Sequence, residues 1–467
     1  MEQSTIEMIS QNLKDVIAFA GERIIVHDSN ALRAKAIDEL VNNAVFGDEQ
    51  LRQMASFLIW EAGLEVGIRS SSIHELYMAA GRGEYSSKTV PAINLRGLTY
   101  DAARSVFRSA IKNNVGSFIF EIARSEIGYT NQRPSEYATV VIAAAIKEGF
   151  RGPVFIQGDH FQASAKKYSS NPEEELLQLK NLIREAIEAG FYNIDIDTST
   201  LVDINKPTVI EQQRMNYELS AELSAYIREL EPKGVTVSIG GEIGEVGGKN
   251  STVEELQAYL NGYKTAVESS GRSFPGLSKI SVQTGTTHGG VVLPDGSIAK
   301  VKIDFDTLGK LSAVARQEYG LAGAVQHGAS TLPDDAFHRF PETGTAEIHL
   351  ATGFQNMIYE HPSLSDAFKD TIYSYLSANF SNERKEGESE TQFIYKTRKK
   401  GFGPFKKQWW ELPEETRNAI SAELEEKFTF LFKKLNVTDT KELVEKNVSA
   451  TPIHKKKPFQ HCKQKQI

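Results

Sequence analysis

Apolar positions divide the chain into three textures. Residues 1–88 carry helical spacing, as at Ile6, Ile9, Leu13 and Ile17 and again over 51–64, with no clear strand, and predict a helical N-terminal segment. From about residue 90 the pattern changes to short apolar runs, each followed by a longer amphipathic stretch. The runs at 90–95, 117–122, 153–157, 192–196, 235–239, 280–283, 322–325 and 346–350 predict eight strands. Between them, 102–111, 134–148, 173–189, 214–230 and 253–269 have the length and spacing of single helices. Ser251 with Glu254 predicts a capping box at the start of the last of these. Alternating strands and helices require a parallel sheet with helices outside it, and eight repeats favour closure into a (β/α)8 TIM barrel, class α/β, over residues 89–360. An open doubly wound sheet is the alternative, but no Gly-rich dinucleotide fingerprint follows any strand.

Beyond the barrel the spacing is helical again, so 361–450 is read as a helical C-terminal extension, with helices at 362–380 and 413–435 and a charged loop at 382–392. The basic and aromatic stretch KKGFGPFKKQWW at 399–410 reads better as a loop docking its aromatics on the barrel than as a phosphate or nucleic-acid patch. Residues 451–467 read as a basic, disordered tail.

Composition narrows the class. With 40% hydrophobic and 24% charged residues the chain is an ordinary globular one, not a disordered or collagen-like one. No window has the apolar length to span a bilayer, and residues 1–11 lack a secretory pattern, so a cytoplasmic protein without membrane association is expected. The single cysteine, Cys462, excludes a disulfide framework within the chain. A net charge of −8 disfavours nucleic acid as a partner.

In a parallel barrel the chemistry collects at the carboxyl ends of the strands. Those ends carry four of the ten histidines, a concentration that argues for a site. His160, His288 and His327 finish strands three, six and seven, and Glu242 finishes strand five. Imidazoles meeting at one mouth suit a catalytic divalent ion, Zn²⁺ or another of that charge, with an open coordination position. Asp159 beside His160 is a candidate general acid/base. The turns Gly289-Gly290 and Gly328-Ala329-Ser330 let backbone N–H groups approach a phosphate, with a helix starting near Pro333 and Asp334.

Six short motifs in order then resemble the class II, metal-dependent fructose-bisphosphate and tagatose-bisphosphate aldolase family. They are 91–95 (PAINL), 158–160 (GDH), 194–199 (IDIDTS), 241–248 (GEIGEVGG), 285–289 (GTTHG) and 327–330 (HGAS). The resemblance implies zinc on His160, His288 and His327, with Glu242 at the family's glutamate ligand position. It implies that Asp159 exchanges the proton of the C4 hydroxyl, and that Gly289, Gly328, Ser330 and Thr352 hold the phosphate of the dihydroxyacetone phosphate half. Asn94, Ser125 and His349 are the remaining expected substrate contacts. The implied reaction is reversible cleavage of a phosphorylated ketose, foremost a ketose bisphosphate, to dihydroxyacetone phosphate and an aldehyde through a zinc-stabilised enediolate. The implied partners are the sugar phosphate and further copies of the chain in a dimer or larger homo-oligomer. Three features depart from the family pattern: Lys249-Asn250 after the Gly-Gly pair, His349 in place of an asparagine, and the two helical extensions. They leave room for a noncatalytic subunit of the tagatose-bisphosphate type, or for a metal-dependent phosphosugar isomerase or epimerase.

Overall fold

Strands that are each followed by a helix cannot return as hairpins, so they pair in parallel. β4 (Val90–Asn94), β5 (Ile119–Ala123), β6 (Gly152–Gln162), β7 (Asn193–Asp197), β8 (Ser238–Glu242), β9 (Lys279–Val282), β10 (Ala324–Gln326) and β11 (Glu347–Leu350) pair with their neighbours in chain order. β11 also pairs with β4, which closes an eight-stranded parallel barrel. The structure, a computed structural model, describes residues 13, 15–21, 23–244, 249–285, 293 and 303–458. Among them no helix is long and apolar enough to cross a membrane.

The helices Pro134–Glu148, Arg214–Leu230 and Val253–Ser269 occupy the stretches that the periodicity predicts. The capping box before the last lies one residue later than expected. Thr252 accepts from the Glu255 N–H at 3.2 Å and Glu255 accepts from the Thr252 N–H at 2.7 Å. Ser251 instead accepts from the Gln283 N–H at 2.9 Å, tying the start of this helix to the end of β9. β8 starts at Ser238, later than expected, because Val235 N–H closes a turn onto the Pro232 carbonyl at 3.0 Å. The helix expected from Pro333 is one 3-10 turn, Asp334–Ala336.

The N-terminal segment is not purely helical. β1 (Ile17–Ala20) and β2 (Arg23–Val26) form an antiparallel hairpin around Gly21, whose φ of +69° suits glycine. β3 (Ile68–Ser71) adds to the barrel by pairing in parallel with the first four residues of β6. β3, IRSS, has a single apolar residue, and Ile17 of β1 falls in the helical spacing that runs from Leu13, so neither reads as a strand. The helix Glu49–Glu65 matches the dense apolar stretch and buries Phe57, Leu58, Ile59 and Trp60.

The C-terminal extension pads the barrel's outside. In the helix Glu414–Lys434, Ile420, Leu424, Phe428, Leu431 and Phe432 recur at helical spacing on the buried face. Each of the larger side chains fully removed from water contributes about 1.5–3 kcal/mol. This helix packs on Thr99–Lys112, where Ser105 donates to the Ser421 carbonyl at 2.9 Å and Arg108 pairs with Glu425 at 2.6 Å. Part of the expected charged loop is the helix Glu390–Thr397, capped by Ser389. The aromatics of 399–410 dock as expected. Phe402 and Trp409 are buried, and a Cβ on Gly97 would lie 2.1 Å from the Phe402 ring. The start of the expected tail is ordered against the protein: Trp60 donates to the Ile453 carbonyl at 2.7 Å, and Glu61 accepts from the Lys455 N–H at 2.9 Å. Aromatic and carboxylate partners that lie 393 or 394 residues away in sequence explain why local composition missed it.

Candidate active site

The strand ends open into a cavity of about 620 Å³. Asn94, Ser125, Asp159, His160, His327, Gly328, Ser330, His349 and Thr352 all line it. Glu242 joins them through His160, with its Oε2 3.2 Å from Nδ1. His288 and Gly289 lie outside the described residues.

Consecutive side chains on a strand point to opposite faces, so Asp159 and His160 share the mouth only if the strand departs from regularity. β6 does so: its register against β7 shifts between Gly158 and Phe161, and His160 takes φ +40°. This bulge turns both side chains toward the cavity. Gly158 is needed beside it, because a Cβ there would lie 2.4 Å from the Phe161 ring.

The His160 and His327 rings stand 4.2 Å apart. One donor atom each from His160, Glu242 and His327 lies within 4.8 Å of the others, a set that fits a divalent ion. Asp159, His327 and His349 form a second set that shares His327. Asp197, which the sequence reading quoted only within its motif, lies 2.9 Å from His160 Nδ1 and is itself held by Ser199 Oγ at 2.6 Å and Gln162 Nε2 at 2.5 Å. It is placed to orient the imidazole. Burial disfavours a charged His160, yet the carboxylates of Asp159 and Glu242 outweigh that and raise its pKa well above the ordinary value. Burial and the negative charge of Asp197 push Glu242 up to about 7. Acidic groups so desolvated gain from a bound cation.

Beneath this layer the barrel interior is charged rather than apolar. Lys279, fully buried on β9, places Nζ 2.9 Å from Asp195 and 2.5 Å from Glu347 and donates to Gln157 at 2.8 Å. Glu347 also accepts from the Tyr77 hydroxyl. His349 lies above, its Nε2 2.7 Å from Glu347 and its Nδ1 2.9 Å from Glu121 and 3.2 Å from Asp159. Burial is the main reason Glu121 is pushed up to about 7 and Asp195 up to about 6. On Glu347 the Lys279 ammonium wins over burial and the carboxyl is lowered. Glu121, Asp195, Lys279 and Glu347 do not stand out as a group in the sequence. The available signal was a charged residue inside each of four short barrel strands.

On the other side of the mouth, Gly328 adopts φ +69° and Ser330 Oγ accepts from the Gly353 N–H at 3.1 Å, fixing the β10 loop to the helix Thr352–Glu360. Arg96, also missed, reaches Gln355 at 2.9 Å and Glu126 at 2.7 Å, and Asn94 donates to Glu126 at 2.6 Å. Further cations, Arg124, Lys167 and Lys399, line the wall. The arrangement separates a floor of candidate ion ligands and a carboxylate from a wall that carries cations.

The family described as Fructose-bisphosphate aldolase class-II matches residues 71–433. No curated protein matches the sequence. Among solved structures, the chain is similar to the fructuronate-tagaturonate epimerase UxaE from Cohnella laeviribosi, at 12% identity and TM-score 0.52, over 75% of this chain and 82% of that one. It is also similar to the YdjI aldolase from Escherichia coli K12, at 12% identity and TM-score 0.47, over 79% and 98% of the two chains. A fructose-bisphosphate aldolase (Fba) from Campylobacter jejuni matches at 16% identity and TM-score 0.48, over 80% and 97%. The first of these likenesses speaks for the barrel fold alone.

Proposed function

Since the chain belongs to the class-II fructose-bisphosphate aldolase family and is an enzyme of that type, we propose that it reversibly cleaves a ketose bisphosphate into dihydroxyacetone phosphate and an aldehyde. His160, Glu242 and His327, with His288, would hold a divalent ion, for which zinc is the best fit to imidazole donors. Bound there, the ion supplies Lewis acidity toward the ketose carbonyl and its neighbouring hydroxyl. The remaining work falls to side chains. Asp159 accepts the proton of the C4 hydroxyl as the C3–C4 bond breaks; the O–H electrons form the aldehyde carbonyl, and the C3–C4 pair moves toward the ketose carbonyl. In the reverse direction Asp159 returns that proton. His349, between Asp159 and Glu347, fixes the Asp159 carboxylate in the mouth. Gly328, Ser330 and Thr352, with Gly289, take the phosphate of the dihydroxyacetone phosphate half.

The observation that supports this reading is the β6 bulge, which brings Asp159 and His160, the proposed base and ion ligand, from adjacent positions to the same mouth. Metal analysis of the purified protein, combined with coupled cleavage assays over several ketose bisphosphates with and without chelator, tests it. Bound zinc and chelator-sensitive cleavage are expected, with loss of metal-dependent turnover in His288→Ala. Protein that binds no metal and stays inactive with zinc supplied would overturn the proposal, and interconversion of ketoses without cleavage would assign an epimerase or isomerase instead.

A further inference from the structure

The N-terminal segment packs against the amino ends of the barrel strands, opposite the cavity. β3 lies beside the first four residues of β6, and Asn193, at the start of β7, locks it there. The Asn193 amide donates to the Ser71 carbonyl at 3.1 Å and the Ile156 carbonyl at 3.0 Å, and its Oδ1 accepts from the Ile73 N–H at 2.8 Å. The helix His74–Gly81 follows at once. It sits so closely on the turn before β10 that a Cβ on Gly81 would lie 2.2 Å from the Gly320 carbonyl. From this helix the fully buried Tyr77 enters the barrel, where its hydroxyl donates to Glu347 Oε2. Burial and the negative charge of Glu347 raise the phenol's pKa well above its ordinary value, so the group stays a donor.

The contact matters because of what Glu347 holds. Its other oxygen, Oε1, takes Lys279 Nζ at 2.5 Å, Gln157 Nε2 at 2.9 Å and His349 Nε2 at 2.7 Å. His349 Nδ1 in turn stands 3.2 Å from Asp159 Oδ1 at the mouth. A polar column therefore runs through the barrel, from Tyr77 by way of Glu347 and His349 to Asp159. With both oxygens engaged, the Glu347 carboxylate has one orientation. Without the hydroxyl it is free to turn about its Cγ–Cδ bond, and the imidazole loses its fixed partner. We propose that Tyr77 is a positioning residue: through Glu347 and His349 it holds the Asp159 carboxylate where the C4 hydroxyl is deprotonated, so that the N-terminal segment sets turnover from the far end of the barrel. This inference rests on the aldolase reading, and the test separates the two.

Tyr77→Phe keeps the ring and removes the donor. A misplaced base slows proton transfer without weakening the phosphate contacts, so kcat for the ketose bisphosphate that the wild type cleaves fastest is expected to fall by about tenfold to a hundredfold, with KM and bound metal unchanged. His349→Asn cuts the column, and adding Tyr77→Phe to it should lower kcat no further, whereas independent effects would multiply. An unchanged kcat in Tyr77→Phe, or multiplying effects in the double variant, overturns the proposal. If Tyr77→Phe does not fold, as read by circular dichroism, Glu347→Gln alters the same contact from its acceptor side and takes its place in the cycle, with the same two outcomes. If the wild type cleaves no ketose bisphosphate, the aldolase reading fails separately and NMR decides. The His349 imidazole N–H resonance, identified by its loss in His349→Asn, is expected to move in Tyr77→Phe, and an unmoved resonance overturns the proposal.

Discussion

Lys279→Met tests why a barrel interior should be charged. Lys279 is the one ammonium between Asp195 and Glu347, at 2.9 and 2.5 Å, and all three are buried. Removing one partner of a buried pair costs about 3–5 kcal/mol, because the remaining charge is left without compensation. Glu347 keeps His349 Nε2 at 2.7 Å and the Tyr77 and Gln157 donors, so the expected loss is about 3–5 kcal/mol at pH 8. The loss must depend on pH. Burial already pushes Asp195 up to about 6, against an ordinary value of about 3.9, and without Lys279 its folded pKa rises further. A carboxyl whose folded pKa is raised contributes stability that is fully present below its unfolded value and disappears as pH rises through the folded value. Glu347, whose carboxyl Lys279 lowers, carries part of the deficit of Lys279→Met already near pH 4, and the Asp195 part adds to it as pH rises through 6 to 8. Equilibrium urea unfolding at pH 5 and pH 8 measures it. The double variant Lys279→Met/Glu347→Gln removes one charge of each sign and should recover about 2 kcal/mol or more of the loss at pH 8. A deficit equal at both pH values, or strict additivity in the double variant, would refute the electrostatic account.

Asp159→Asn keeps the shape of the carboxyl but not its basicity, so kcat should fall by about 10²- to 10⁴-fold while metal content after dialysis stays at the wild-type level. His74 is buried and its pKa is lowered to about 4, chiefly by desolvation. Its contribution is full above pH 6.5 and lost as pH falls through 4, a swing of roughly 3 kcal/mol; His74→Phe should flatten the stability profile over that window in acid unfolding. Phe402→Ala empties the contact with Gly97 and should cost about 3–5 kcal/mol in urea unfolding.

Much of the barrel is legible because its signals are local. The 134–148, 214–230 and 253–269 helices carry complete amphipathic periods, and their ends appear where expected. The candidate site was legible to the extent that its residues end strands: Asp159, His160, His327, Ser330 and Thr352 line one cavity as the strand-end rule implies. β3, IRSS, offers a single apolar residue, and Ile17 of β1 continues the helical spacing from Leu13, so the N-terminal strands do not stand out. Arg96 and Lys399 escaped for another reason. Their partners and the cavity they face come from segments far apart in the chain, and a basic residue in a loop looks the same in sequence whether it is solvated or enclosed.

The sequence by itself determined the alternation of the eight barrel strands with helices, and with it the barrel and most of the side chains at its mouth, because periodicity and strand-end position depend on near neighbours. Only the tertiary structure decided which of those side chains meet. The bulge at His160 puts two consecutive residues on one face, the interior charges find one another across four strands, and a turn from the C-terminal extension brings a lysine to the cavity wall. Each of these is a distance between residues remote in sequence, set by packing of the whole barrel and its extension.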